Sequence, residues 1–436
     1  MSAQARIQIR GDLLESPQRS GMKILVIGSG GREHALAWRL AREGMQVLVA
    51  PGNGGTPSAV AIAAGDLDGL AALVERERVD LTLVGPEAPL AAGLVDSFTQ
   101  LGLRAFGPTR AAARLEWSKA WTKDFLGRQS IPTARAHVVA SEGAARRAIA
   151  RAGLPVVLKA DGLAAGKGVF VVTTEPEIEA ALDQLFRRRA LGSAADHVLV
   201  EEYLEGPELS VLAFTDGERL AMMPPARDYK RLLDGDGGPN TGGMGGYTRP
   251  AYATDSLLDE VERRILGPTL AGMRAEGQPY RGVLYAGLML TSDGPRVLEF
   301  NCRFGDPECQ LVLPLLKSRL ADVCAAVVEG RLDAKQVRWE HGRTYGVVLA
   351  ARGYPDAPVL GDAIDGLDTL PTDVLAFHAG TRREGGRLVT SGGRVLALVA
   401  AEREAAYAAA EQVHFEGKHF RSDIGAEVPA AVAAAR

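Results

Sequence analysis

The stretch Lys159-Ala160-Asp161-Gly162-Leu163-Ala164-Ala165-Gly166-Lys167-Gly168-Val169 lies between two β-branched runs, Val156 to Lys159 and Val169 to Thr173. A glycine-rich segment that joins two strands is not a Walker loop, where G-x-x-x-x-G-K-[ST] leads into a helix. Glycines at 162, 166 and 168 let backbone N–H groups fold over phosphate oxygens. Lys159, on the preceding strand, is placed to reach an inner phosphate, and Lys167 the phosphoryl group in transfer. A plain hairpin turn would need neither the two lysines nor so many small side chains. Lysine is scarce here, nine of 50 basic residues, yet Lys119, Lys159, Lys167 and Lys230 all fall in or near candidate site loops. Lys supplies a compact point charge where Arg presents a planar fork. On that count alone, chance serves equally well.

Upstream, Met22 to Ile27 is a strand pattern ending in Gly28-Ser29-Gly30-Gly31, and a helical pattern follows from Glu33 to Arg42. A strand at Gln46 to Ala50, a helix at Leu67 to Arg78 and a strand at Leu81 to Val84 complete a β-α-β-α-β alternation. That order predicts a parallel sheet with ligands at the carboxyl ends of its strands. The glycine turn fails as a dinucleotide fingerprint. G-x-G-x-x-G needs glycine at 33, which is Glu33, and Ala50-Pro51 stands where an acidic residue should hold a ribose. A helix N-terminus still suits a monophosphate; a tight turn with no ligand is the alternative.

Downstream, the patterns give a helix over Pro176 to Arg189 and strands at His197 to Glu201 and Leu209 to Phe214. A long Gly/Pro-rich stretch, Asp234 to Gly246, comes next. A helix around Leu257 to Ala275 and strands at Gly282 to Leu290 and Arg296 to Phe300 follow. In Glu299-Phe300-Asn301 the first and third side chains share a strand face. Two oxygen ligands so placed suit Mg²⁺, which takes one or two carboxylates plus phosphate oxygens and water. Arg303-Phe304-Gly305-Asp306-Pro307-Glu308 then sets a guanidinium beside the metal, where it could stabilise charge on a transferring phosphoryl group. For E-x-N alone a salt-bridged turn would be the better reading; with the lysine loop it is not.

The whole chain sets the outer limits. At 436 residues it has room for about three domains. Its net charge of −4 makes nucleic acid a poor partner. No window approaches the run of apolar residues that spans a membrane. The leader 1–21 carries Arg6, Arg10, Asp12 and Glu15 without an apolar run, so it is not a secretory signal. Three cysteines without a C-x-x-C pair read as a reduced, cytoplasmic complement. His137, His197 and His414 read as packed or solvated; His34 and His378 lie beside site loops. Cys309 has acidic neighbours that would hold its thiol protonated, and Trp117 with Trp121 reads as a core stripe.

Lys159 to Val169, Pro239-Asn240-Thr241-Gly242-Gly243-Met244-Gly245 and Arg303 to Gln310 resemble the signature segments of the phosphoribosylamine–glycine ligases, the glycinamide ribonucleotide synthetases of the ATP-grasp superfamily. Gly28 to Trp38, Val84 to Pro89 with Glu87, Phe106 to Thr109, Ser118 to Ala120, Phe377 to Thr381 and Gly392 to Val395 match as well. The resemblance covers Met22 to Ile424. It implies a multidomain α/β and α+β fold. After the leader come an N-terminal parallel-sheet, Rossmann-like substrate domain (22–121), an ATP-grasp lid (122–196), a central ATP-grasp domain (197–335) and a small C-terminal domain (336–436).

By the same resemblance, ATP lies between lid and central domain. Glu201, Tyr203 and Leu204 form the adenine hinge, and Glu208 meets the ribose. Lys119, Lys159, Gly162, Gly166, Lys167 and Gly168 contact phosphates, and Glu299 and Asn301 hold Mg²⁺, with Mn²⁺ as a substitute. Arg303, Lys167 and Asp306 serve catalysis. Gly30, Gly31, Arg32 and Glu33, with Asp228, Lys230, Asn240, Thr241 and Gly242, position the sugar phosphate and its amine. The implied reaction ligates glycine to 5-phosphoribosylamine through glycyl phosphate, in a cytoplasmic monomer or weak homodimer. Two departures stand out: Tyr229 occupies a place where relatives often have His, and Tyr285 to Leu290 offers no metal carboxylate.

Three other readings are weighed: a formate-dependent transformylase or carboxylase of the same fold, an NAD-dependent oxidoreductase, and a non-catalytic nucleotide-binding module. The missing glycine and acidic residue argue against the oxidoreductase. A non-catalytic module would tolerate loss of Glu299, Asn301 or Arg303, and all are present. The glycine loop gives a direct test. Gly166→Val should leave the fold intact and impair ATP use, because a β-branched side chain obstructs backbone approach to phosphate. Unchanged ATP affinity and rate in the folded variant would refute the loop's assignment.

Overall fold

The computed structural model describes residues 21–164 and 167–426. Three apolar runs, Lys23–Gly28, Gln46–Pro51 and Leu81–Val84, pair in parallel with the short strand Ala105–Phe106 at one edge. Ile24, Leu25, Val26 and Ile27 are all fully buried, as expected for a parallel strand covered on both faces. Helix Gly31–Arg42 lies on one face and Leu67–Glu77 on the other.

The lid is a four-stranded antiparallel sheet in the order Ala136–Val139, Val198–Glu202, Val156–Ala160, Val169–Val172. Helices Glu142–Ala152 and Glu175–Leu182 close a core of its own, with Ile149, Leu158, Leu182 and Val198. Its limits differ from the expected 122 and 196. Helix Lys119–Arg128 buries Phe125 and Leu126 in the core behind the N-terminal sheet, so the lid starts later. Val198 and Val200 point into the lid core, so it extends to Glu202.

The central region is one nine-stranded sheet. Its path runs Gly294–Asn301, Gly282–Thr291, Glu208–Thr215, Ala226–Asp228, Gly245–Thr248, and then through the C-terminal strands Tyr345–Ala350, Arg394–Ala400 and Leu375–His378, with Leu220–Met222 paired on Glu208–Thr215 as the ninth strand. The C-terminal domain therefore continues the central sheet. The join depends on glycine. Gly245 has φ +131°, and a Cβ there would come within 2.3 Å of the Gly346 carbonyl oxygen. The Gly/Pro-rich stretch Asp234 to Gly246 holds the strands Gly237–Asn240 and Gly245–Thr248 in part or whole. Small residues carry no β-branched signature, and here they are required by close strand approach.

Glu43 ties the N-terminal domain to the helix Leu320–Val328. Its carboxylate accepts Leu320 N–H at 2.6 Å, Ala321 N–H at 3.0 Å and Arg39 Nε at 2.9 Å, all out of water. Among the described residues, no helix is long and apolar enough to cross a membrane. Glu43→Ala should lower the unfolding free energy by about 3 kcal/mol, because a buried guanidinium and two helix-terminal N–H groups lose their acceptor. Urea denaturation would measure this, and a loss below about 1 kcal/mol would show that the helix caps itself by other means.

Candidate active site

A cavity of about 680 Å³ opens between the lid sheet and the central sheet. At one end Glu299 and Asn301 leave the same strand two residues apart and both line the cavity. Just before them the pairing slips. Gly287 faces Glu299 and Leu288 faces Val297, leaving Leu298 as the extra residue of a β-bulge. Lys159 Nζ donates to the Leu298 carbonyl at 3.0 Å. Lys230 Nζ stands 3.5 Å from Glu299 and 3.2 Å from Glu208. Burial pushes the Glu299 carboxyl up, but Lys230, Lys159, Lys119 and Arg303 outweigh it and hold the group down at about 2. It is an anion at any working pH, as a metal ligand must be. The described residues contain no group of three or more His, Cys, Asp or Glu that could hold a metal. A divalent ion here would have Glu299 and Asn301 from the chain, with nucleotide oxygens and water completing its shell, a pattern that suits Mg²⁺.

The lid contributes the opposite wall. Glu201 is buried between Lys159 at 2.9 Å and Lys123 at 3.1 Å. Its side chain thus binds the site's own lysines, and its backbone lies within the lid sheet between Ala136 and Val157. Tyr203 is 41% exposed, and it and Leu204 line the cavity. Lys119 Nζ reaches the Gly162 carbonyl at 3.4 Å, and burial lowers its pKa. Lys123 was not singled out from the sequence. It lies one turn beyond Lys119 on the helix Lys119–Arg128, and the scarcity of lysine that marked Lys119 marks it equally. Lys167 is exposed and is not among the residues lining the cavity. A role at the transferred phosphoryl group would require it to leave the solvent side of its loop. Gly162 is needed for packing: a Cβ would come within 2.9 Å of Ala194 Cα. Gly168 similarly meets Ala164 at 2.9 Å. Gly166 lies outside the described residues.

Arg303 is committed more fully than its sequence suggested. Nε donates to Glu87 at 3.2 Å, Nη2 pairs with Glu116 at 2.7 Å, and Nη1 donates to the Phe304 carbonyl at 3.2 Å. Burial pushes Glu87 up, but Arg303 and Arg32 bring it down to about 2. Glu116 also accepts Cys302 N–H at 2.7 Å, and Arg32 Nη1 donates to Phe304 O at 3.1 Å. Two carboxylates thus offset most of the field that Arg303 would cast into the cavity. Asp306 is held as a carboxylate. Burial opposes its ionisation, but Arg394 and Arg32 prevail, and Arg394 Nη1 lies 3.3 Å from it. Asp228, Asn240, Thr241 and Gly242 line the same cavity, and Asp228 Oδ1 has no hydrogen-bond partner among the described residues. Beside them Glu308, missed from sequence, accepts Tyr285 OH at 2.6 Å and Ser210 OH at 2.9 Å.

The first glycine turn needs correction. Glu33, expected to contact substrate, turns back and accepts Gly30 N–H at 2.6 Å, the N3 half of a capping box. Its carboxylate packs where Cβ atoms on Gly28 and Gly85 would stand. The chain's own anion therefore occupies the helix N-terminus, which disfavours a phosphate there. Gly31 is likewise set by packing, since a Cβ would come within 2.5 Å of Gln310 Nε2. Arg32 lines the first cavity, whereas Gly30 opens on a second one of about 760 Å³. That cavity lies between the N-terminal and C-terminal domains, is bounded by Asn53, Arg382 and Arg383, and shares Asp306 and Arg394 with the first. His34 and His378 staple these two domains. His34 Nδ1 accepts His378 N–H at 2.7 Å, and burial lowers their pKa values to about 3 and about 4. Trp117 and Trp121 pack beside the N-terminal core under the Arg114 guanidinium, and Cys309 is fully buried.

Models of the phosphoribosylglycinamide synthetase N domain, ATP-grasp (A) domain and C domain match residues 22–116, 117–309 and 344–427. The phosphoribosylamine–glycine ligase of Xylella fastidiosa strain Temecula1 is 50% identical over 420 residues, covering 93% of this chain and 97% of its own. That of Ralstonia nicotianae is 49% identical over 416 residues, covering 93% and 99%. The crystal structure of the Thermotoga maritima enzyme superposes with a TM-score of 0.80 at 37% identity, covering 93% of this chain and all of its own. Identity of this extent over three domains in the same order establishes descent, and the chain belongs to the phosphoribosylamine–glycine ligase family.

Proposed function

We propose that the protein ligates glycine to 5-phosphoribosylamine using ATP, releasing ADP, phosphate and glycinamide ribonucleotide in purine biosynthesis. The observation that carries this reading is the convergence of Lys119, Lys159 and Lys230 with Glu299 and Asn301 in one cavity, with Tyr203 and Leu204 at its lid side. A carboxylate resists amine attack because it is electron-rich and would have to expel an oxide. Transfer of the γ-phosphoryl group to the glycine carboxylate gives glycyl phosphate, from which phosphate leaves as the amine attacks. The reaction needs positioned charges more than a covalent nucleophile.

Each group then has a task. Lys119 and Lys159 hold phosphate oxygens of the nucleotide, while Lys230 faces the γ-phosphoryl group as it passes to the glycine carboxyl and Arg303 offers its remaining donors. A divalent ion, Mg²⁺ or Mn²⁺, held by Glu299 and Asn301 would neutralise charge on the phosphates. Asp228, with an unpartnered oxygen, is placed to accept an N–H from a substrate amine. Arg382, Arg383 and Arg394 make the second cavity the better seat for the sugar phosphate, and its shared wall at Asp306 and Arg394 supports a path to the first. We place the enzyme in the cytoplasm on the chemistry of these substrates.

Glu299→Gln should lose most activity and bind Mg·ATP more weakly, since a neutral amide replaces an anionic ligand. Turnover within a few-fold of wild type at limiting Mg²⁺ would remove Glu299 from the metal's shell.

Isotope transfer tests the chemistry itself. Glycine labelled with ¹⁸O in its carboxylate should yield singly labelled phosphate at each turnover, and ADP release should require all three substrates. A formyl or bicarbonate donor would give no such transfer. Arg303→Lys should slow the step by at least about tenfold, or about 1.4 kcal/mol, because Lys cannot reach Glu87, Glu116 and the substrate together. Unlabelled phosphate at full turnover would refute the mechanism.

A further inference from the structure

The strand Ala226–Asp228 runs on through Tyr229 and Lys230 into a hairpin, Arg231–Leu233 against Gly237–Asn240. Arg231, Asp236 and Asn240 of that hairpin line the first cavity. Its tip, Asp234-Gly235-Asp236-Gly237-Gly238, has no apolar side chain, and Gly235, Asp236 and Gly238 all have positive φ. A two-stranded hairpin of this composition is marginal by itself. Its order must come from elsewhere.

That order comes from a segment nearly 200 residues further along the chain. Arg421 is 1% exposed, and its Nη1 donates to the Arg231 carbonyl at 3.0 Å and to Asp236 at 2.9 Å. Nε and Nη2 form a fork on Asp423 at 2.7 and 2.6 Å. Asp423 also accepts Gly235 N–H at 2.9 Å, and Asp234 accepts Ser422 N–H at 2.8 Å. His419 Nε2 lies 3.0 Å from the Leu232 carbonyl. Two guanidiniums lie over the Tyr229 ring, Arg227 at 4.6 Å and Arg421 at 4.8 Å, and its hydroxyl accepts Gly425 N–H at 3.2 Å. A guanidinium this deeply buried is stable only with its partners in place, so these contacts form or fail together.

We propose that Arg421 is a positioning residue for the reaction. By gripping the Arg231 carbonyl and the Tyr229 ring, it fixes Lys230 from both chain directions and so holds that ammonium against Glu208 and Glu299. A cation on a flexible stem acts at a phosphoryl group only if its backbone is fixed. This inference rests on reading the first cavity as the nucleotide site.

The test uses the full chain carrying Arg421→Met or Asp423→Asn, with Glu43→Ala as a control of reduced stability far from the hairpin. Folding is checked by circular dichroism and thermal melting. Hydrogen exchange of residues 229–242 is measured without substrate, and KM for ATP and kcat are measured by ADP release. Arg421→Met should accelerate exchange in the hairpin while Gly282–Thr291 stays protected, and should raise KM for ATP at least about tenfold; Asp423→Asn should do so about threefold. Glu43→Ala should melt earlier with KM for ATP unchanged, which separates positioning from a general loss of stability. A folded Arg421→Met with wild-type exchange and wild-type KM overturns the proposal. If that variant does not fold, Asp423→Asn decides by the same two readings. Absence of glycine-dependent ADP release in the wild type would refute the ligase reading instead. In that case hairpin exchange and equilibrium ATP binding decide for Arg421, unchanged values overturning the proposal.

Discussion

The Arg303 guanidinium, fixed by Glu87 and Glu116, is the interaction on which the arrangement of the site depends. Glu87 begins a helix of the N-terminal domain, Glu116 lies at that domain's exit, and Arg303 follows directly on the strand that carries Glu299 and Asn301. One side chain therefore locates the N-terminal domain against the strand that carries Glu299 and Asn301. Removing a buried partner from such a network leaves a charge that nothing else can satisfy, which makes the register between the two domains a sharp one. Glu43 gives a second tie of the same kind, an anion from the N-terminal domain capping the helix Leu320–Val328. The lid is tied to the helix Lys119–Arg128 by the buried pair of Glu201 with Lys123 and by Asp161, which accepts Ala120 N–H at 2.7 Å. It has its own core, and it meets the central domain mainly through polar groups such as Lys159 on the Leu298 carbonyl.

The cavity between them is an arrangement of opposed charges held apart by backbone geometry. Glu299 and Glu201 are each matched by lysines, and the bulge at Leu298 turns a carbonyl toward one of those lysines. Before any ligand binds, the positive charges already have partners inside the protein. A triphosphate and its cation would take the place of those partners, so the site is preorganised without carrying isolated buried charge. The same economy explains the first glycine turn, where Glu33 fills the helix N-terminus that a nucleotide-binding domain would leave open.

Much of this was legible in the residue order. The β-α-β-α-β alternation, the loop between the Val156 and Val169 runs, and the Glu-x-Asn pair at a strand end depend on short-range rules of periodicity and backbone freedom, and the structure follows them. Glu33 could be seen to break the dinucleotide fingerprint, but not that its carboxylate replaces the ligand; that depends on Gly85, over fifty residues away. The strands Gly237–Asn240 and Gly245–Thr248 were hidden because their residues are chosen for close approach, which has no local signature. Lys123, Glu116 and Glu308 were hidden because an ordinary charged residue becomes part of a site only through what it faces.

The sequence by itself determined the class of fold and the family, and it placed the glycine-rich segment between two strands and the Glu-x-Asn pair on one strand face, since each is written in contiguous residues whose spacing fixes their geometry. The tertiary structure alone decided that the C-terminal strands continue the ATP-grasp sheet, that Arg303 is shared between two carboxylates, and that Arg421 grips the hairpin beside Lys230. The reason is physical: local pattern fixes backbone direction, whereas the charge a group presents to a ligand depends on partners that only folding brings within reach.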